Sequence, residues 1–122
     1  MNICIIDDDK IYQFLLKKTI YIIRENISVH SYYNGEEAMQ DFEQIDSSCD
    51  IIFLDLNMPK MDGLEFMEAY QKLITFTKSS PKIYVATSSI SENDKLKVAS
   101  YEMIKGYLTK PITIEMIEKI IK

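Results

Sequence analysis

Three glycines, three prolines, two cysteines and one histidine are all that the 122 residues contain of these types. Each scarcity closes off a class of protein. Cys4 lies in an apolar run and Cys49 beside Asp50, which makes neither a disulfide framework nor a paired-thiol metal spacing. Both are expected as free thiols in a reducing compartment. A lone imidazole, His30, offers no second partner for a metal or relay site, so it is expected to be structural. No Pro-rich linker, repeat or low-complexity stretch divides the chain, and one folded unit over residues 1–122 is expected. No apolar run approaches the length of about 18 needed to span a bilayer. The N-terminus MNICIIDDD also reaches its acids too soon for a secretory leader, so the expected location is cytoplasmic, with no membrane contact. A basic excess is lacking too. With 14 Lys and Arg against 19 Asp and Glu, the net charge of −5 argues against a direct nucleic-acid partner.

What is present is apolar patterning, at a hydrophobic fraction of 47%. A chain of this length buries roughly two-thirds of its unfolded surface, enough for one core without staples. No separate effector domain is expected, although a short last helix from about Ile114 is compatible with a longer parent chain. Strand candidates are NICII (2–6), ISVHSY (27–32), DIIFL (50–54), KIYVAT (82–87) and KGYLT (105–109). Segments of helix length lie between them. Asn34 with Glu37 and Ser91 with Asp94 place an acceptor before a helix and an acid on its first turn, and the second of these helices is expected from Glu92 to about Ile104. Continuous hydrophobicity in NICII and IIFL marks strands covered on both faces. The pattern predicts an α/β fold: a doubly wound, five-stranded parallel sheet with helices on each side.

In such a fold, ligands bind beyond the carboxyl ends of the strands. The residues there are Asp7, Asp8 and Asp9 after the first strand, Asp55 after the third, Thr87 after the fourth and Lys110 after the fifth. Clustered carboxylates repel one another unless a proton or cation compensates them. An all-oxygen set suits a hard ion, and two of the early acids with Asp55 and a backbone carbonyl would suffice for Mg²⁺. Asp7, Asp8 and Asp55 against Lys110 leave two negative charges, which a divalent cation cancels. Phosphoryl transfer uses such a site. Asp55 is the candidate nucleophile, followed by LNMPKMDG, whose Pro59 and Gly63 shape a turn over it. Lys110 and the Thr87 hydroxyl would meet phosphoryl oxygens. Asp9 is expected to be a helix cap.

ICIIDDD, FLDLNMPKMDG, VATSS and GYLTKP, in this order and spacing, resemble the receiver domain of two-component response regulators over essentially the whole chain. The resemblance implies the flavodoxin-like receiver fold and a phosphorelay switch. Asp55 would accept a phosphoryl group from a histidine kinase or histidine phosphotransfer protein. It further implies that Asp7 and Asp8 form the acidic pair, and that Asp8, Asp55 and the Asn57 carbonyl hold Mg²⁺. A cis Lys110–Pro111 peptide and a Thr87/Tyr107 switch pair are implied as well. Such a protein is a regulatory phosphoacceptor that catalyses its own phosphorylation and dephosphorylation, and is not a metabolic enzyme. The small Ser88 leaves access to the phosphoryl group, whereas Asn57 and Ser89 lie where the family tunes its lifetime. The downstream protein is not named by the residues, and a monomer and a phosphorylation-dependent dimer both remain open.

On a wheel of the first helix, Gln13, Lys17 and Arg24 form the polar sector and Ile11, Leu15 and Ile22 the core side. Tyr12, Leu16, Ile20 and Ile23 extend the apolar arc, and Tyr12, Leu16 and Ile20 are the expected docking flank for a phosphodonor. The enzymatic alternative is a haloacid-dehalogenase-like phosphotransferase with Asp7 as nucleophile, since Asp7 and Asp9 spell Asp-x-Asp. It gives Asp55 and Lys110 no role. A flavodoxin-like nucleotide binder would need Ser, Thr or Gly where three acids stand.

Overall fold

The computed structural model describes residues 1–44, 49–74, 81–88 and 91–121. Strands and helices alternate through β1 (Asn2–Ile6), α1 (Lys10–Ile23), β2 (Ser28–Tyr32), α2 (Gly35–Gln44), β3 (Ile51–Leu54), α3 (Gly63–Ile74), β4 (Lys82–Thr87), α4 (Glu92–Ala99), β5 (Ile104–Thr109) and α5 (Ile114–Ile121). All pairings are parallel and the order is β2-β1-β3-β4-β5. The predicted doubly wound sheet is therefore present. β3 occupies the centre, buried at every position, and β2 and β5 are the edges.

Alternation along β1 distributes the core. Ile3 and Ile5 join Phe53, Leu16, Ile20, Ile117 and Ile121 on one face, under α1 and α5. Cys4 and Ile6 point the other way, to Leu54, Ala38, Met39, Phe66, Met67 and Tyr70 under α2 and α3. The helix starts are capped as the sequence predicts. Asn34 Oδ1 accepts from the Glu37 N–H at 2.8 Å, and Ser91 Oγ from the Asp94 N–H at 3.1 Å. An unanticipated reciprocal box opens α3, where the Glu65 N–H donates to Asp62 Oδ1 at 2.9 Å and the Asp62 N–H to Glu65 Oε1 at 3.1 Å.

Three expectations are corrected. Cys4 and Cys49 are not free thiols but a disulfide, with Cα atoms 6.2 Å apart. β1 and β3 are neighbours, so a cysteine within β1 and one just before β3 meet although 45 positions separate them. The helix expected from Glu92 to about Ile104 ends at Ala99, because the Ser100 N–H turns back to the carbonyls of Lys97 and Val98 and Ile104 already opens β5.

The third correction inverts the wheel of α1. Leu16 and Ile20 are 4% and 0% exposed, so they belong to the core and cannot form a docking flank, whereas Ile11, Leu15 and Ile22 face solvent with Phe14. Gln13, read as polar surface, is buried. Its amide replaces solvent with backbone: the two N–H bonds of Nε2 are shared among the carbonyls of Ile5, Asp7 and Tyr32, at 2.9–3.1 Å. That side chain ties the ends of β1 and β2 to α1, and it pulls the helix face with it.

Candidate functional site

The strand ends converge as the topology requires. β1 ends at Ile6 and β3 at Leu54, in register with each other, so Asp7 and Asp55 emerge side by side. Their backbones are fixed by the sheet: the Asp55 N–H donates to the Ile6 carbonyl at 2.9 Å and the Asp7 N–H to that of Tyr32 at 3.0 Å. One carboxylate oxygen each from Asp7, Asp8 and Asp55 falls within a mutual 4.8 Å. Asp7 and Asp55 are buried and Asp8 is exposed.

Both oxygens of Asp7 are engaged, Oδ1 by the Asp9 N–H at 2.9 Å and Oδ2 by Lys110 Nζ at 2.6 Å. Lys110 reaches Asp55 Oδ2 only at 3.9 Å. Burial pushes the Asp7 carboxyl above its ordinary range, against the opposing pull of Lys110. Asp55 is raised to about 6, first by burial and then by the charge of Asp7, with Lys110 and the Asn57 N–H pulling it back. Asp55 is thus ionised at neutral pH, yet poorly solvated.

Asp9 is the cap it was expected to be, accepting from the N–H groups of Ile11 and Tyr12 at 3.0 Å. Asn57 is brought to the site, where its backbone N–H draws the Asp55 ionisation down. The turn after β3 is closed by Gly63, whose N–H donates to the Leu56 carbonyl at 2.9 Å. A Cβ there would lie 2.4 Å from the Asp55 carbonyl oxygen and 2.8 Å from Leu56 Cα. Only glycine lets α3 start against the backbone of Asp55. Lys60, in the same loop, takes a positive φ of 66°.

Thr87 is buried at the end of β4, and its carbonyl accepts the Lys110 N–H at 2.9 Å. The Lys110–Pro111 peptide is cis, as the resemblance implies. Tyr107 lies on β5 opposite Val85, is 46% exposed and carries Lys95 Nζ 5.7 Å from its ring centroid. Ser88 is exposed beside Thr87, and Ser89 lies outside the described residues. His30 is on the edge strand β2, exposed. Sequence reasoning missed Gln13 and Tyr12. Tyr12 does not face outward as a docking residue: its hydroxyl is enclosed, and Lys110 Nζ lies 4.1 Å from its ring centroid.

The profile of the response regulator receiver domain matches residues 3–122. The chain belongs to the receiver domain family. Among curated relatives of this receiver are the sensor histidine kinase CheAY of Helicobacter pylori and the chemotaxis protein CheY of Treponema pallidum. The first is 30% identical over 117 residues, 96% of this chain and 14% of that protein. The second is 25% identical over 93 residues, 73% of this chain and 61% of that one. Both relatives extend well beyond the length that this chain spans. The structure of chemotaxis protein CheY4 of Vibrio cholerae superimposes with a TM-score of 0.78 at 26% identity, covering 98% of this chain and 93% of that one. A receiver domain is the phosphoacceptor regulator of two-component signalling, and this one has the fold and the acidic cluster for it. Among the described residues no helix is long and apolar enough to cross a membrane.

Proposed function

We propose that this receiver takes a phosphoryl group on Asp55 from a histidine kinase or histidine phosphotransfer protein, in the cytoplasm, and signals through the Thr87/Tyr107 face. The observation that carries the reading is the inequality between the two buried acids. Asp7 has both oxygens engaged, whereas Asp55 is pushed up to about 6, where a carboxylate is ionised at neutral pH but weakly held. Asp55 attacks phosphorus while the bond to the donor imidazole breaks, and the electron pair leaves on the imidazole nitrogen.

The donor set fits a hard divalent cation: it is all oxygen, the carboxylates lie within 4.8 Å, and one lysine offsets only part of the charge of three acids. Asp8, Asp55 and the Asn57 carbonyl would hold Mg²⁺. When bound, it neutralises the acids and the incoming phosphoryl oxygens. Lys110 turns from Asp7 toward one phosphoryl oxygen, and the Thr87 hydroxyl donates to another. The Thr87 movement vacates space into which the Tyr107 ring turns, giving up Lys95.

The donor meets the outward stripe of α1 made by Ile11, Phe14 and Leu15, which begins beside the acids and replaces the flank predicted from sequence. A downstream protein reads the surface around Tyr107 and α4.

Intact mass after acetyl phosphate treatment, with and without Mg²⁺, tests the reading on wild type, Asp55→Asn and Asp7→Asn. The expected result is a Mg²⁺-dependent gain of one phosphoryl group, reduced in Asp7→Asn and absent in Asp55→Asn. Loss in Asp7→Asn with uptake intact in Asp55→Asn would overturn it.

A further inference from the structure

Lys110 is held on three sides, and only two of them are carboxylates. Its Nζ lies 2.6 Å from Asp7 Oδ2 and 3.9 Å from Asp55 Oδ2. The third side is the ring of Tyr12, with the ammonium 4.1 Å from its centroid, well inside the range of a cation–π contact. Tyr12 sits one turn into α1, and its N–H is fixed by the Asp9 cap at 3.0 Å. Its ring packs against the core under α1. The hydroxyl is enclosed and, among the described residues, has no hydrogen-bond partner. Burial and the negative charge of Asp7, Asp55 and Asp9 push its ionisation up, so the phenol stays neutral.

A lysine ammonium is a compact charge on a flexible four-carbon stem. To serve a phosphoryl group on Asp55 it must leave Asp7 without wandering into solvent. A second hydrogen-bonding partner would compete with the phosphoryl oxygen for its protons. An aromatic face does not, because it attracts the charge without fixing the direction of any N–H. We propose that Tyr12 is a positioning residue for Lys110, its ring face supporting the ammonium as it turns from Asp7 to the phosphoryl group. The inference rests on the reading of Asp55 as phosphoacceptor.

The test uses the full chain with Tyr12→Phe, which keeps the ring, and Tyr12→Leu, which removes it; Tyr12→Met replaces Leu if that variant fails to fold. Two readouts are taken: the initial rate of phosphoryl uptake from acetyl phosphate across Mg²⁺ concentrations, and the NMR shifts of the Lys110 side-chain methylene protons. Wild type and Tyr12→Phe should show Lys110 signals displaced by the ring current and uptake rates within about twofold of each other. Tyr12→Leu should lose the displacement and slow uptake about tenfold, at unchanged half-saturating Mg²⁺. Uptake in Tyr12→Leu equal to wild type overturns the proposal, as does a Tyr12→Phe variant as slow as Tyr12→Leu, which would assign the effect to the hydroxyl. Undisplaced Lys110 signals in wild type overturn it independently of any phosphoryl chemistry. A wild type with displaced signals but no uptake instead overturns the phosphoacceptor reading, and Tyr12's part in transfer falls with it.

Discussion

Lys110 is bonded to Asp7, at 2.6 Å, and not to Asp55, which it approaches only to 3.9 Å. The close contact of the cation is thus with Asp7. Replacing Lys110 with Met should therefore do two things. Phosphoryl uptake on Asp55 should fall about 100-fold, since a charged donor to the developing phosphate is gone. Buried Asp7 should also lose its partner, lowering stability by about 1–3 kcal/mol in urea unfolding. A variant with normal uptake would leave Lys110 with a structural role only.

Asp55 is raised to about 6 in the metal-free protein, above its unfolded value of 3.8. A carboxyl raised by folding binds its proton more tightly in the native state, so it favours the native state below the unfolded value and opposes it above the folded one. Asp55→Asn should therefore stabilise the metal-free chain at pH 7 to 8, by about 3 kcal/mol. The gain should shrink as pH falls through 6 and vanish near pH 4. Urea titrations at several pH values in the presence of a chelator measure it, and a gain independent of pH would contradict the assignment.

Gly63 faces the Asp55 carbonyl oxygen so closely that an added methyl would lie 2.4 Å from it. That neighbour is backbone and cannot turn aside. Gly63→Ala should cost about 2–4 kcal/mol in thermal or urea unfolding. It should slow phosphoryl uptake as well, because relief of the clash moves Asp55. Unchanged stability would show that α3 can retreat from β3 freely.

Reduction of the Cys4–Cys49 bond releases a crosslink across 45 positions, and should lower stability by about 2–4 kcal/mol. The bond joins the middle of β1 to the segment before β3, away from the acids at the other end of these strands, so uptake from acetyl phosphate should survive reduction. Cys4→Ser with Cys49→Ser should be indifferent to dithiothreitol. Two thiols that remain open to alkylation after treatment with glutathione disulfide would show that the bond does not form.

The stripe of Ile11, Phe14 and Leu15 is exposed beside the site. Phe14→Ser with Leu15→Asp should slow transfer from a phosphorylated histidine donor about tenfold or more while leaving acetyl phosphate uptake unchanged. Equal loss with both donors would count against a docking role.

The sheet and its site were legible because their signals are local or topological. Apolar runs, caps such as Asn34 and Ser91, and acids at strand ends all translate directly into position. α1 was misread because its hydrophobic residues surround the helix, leaving no dry arc to choose, and the face was decided by one amide. Gln13 satisfies three carbonyls at the ends of β1 and β2, a role that depends on strands distant in sequence. The same holds for Cys4 and Cys49, whose meeting is a property of strand order and not of spacing. The end of α4 escaped because Tyr101 and Met103 continue an apolar rhythm into a turn that Ser100 has already begun.

The strand order leaves β5 paired along one side only, whereas β1, β3 and β4 are each paired along two. β3, which presents Asp55, is laced to β1 on one side and β4 on the other, so that carboxylate stands on an interior strand. β5, which carries Tyr107, has a single ladder, and that ladder is already irregular opposite Ile83 and Tyr84. Tyr107 thus stands on a strand held from one side only, as β2 is, and Asp55 on a strand held from both.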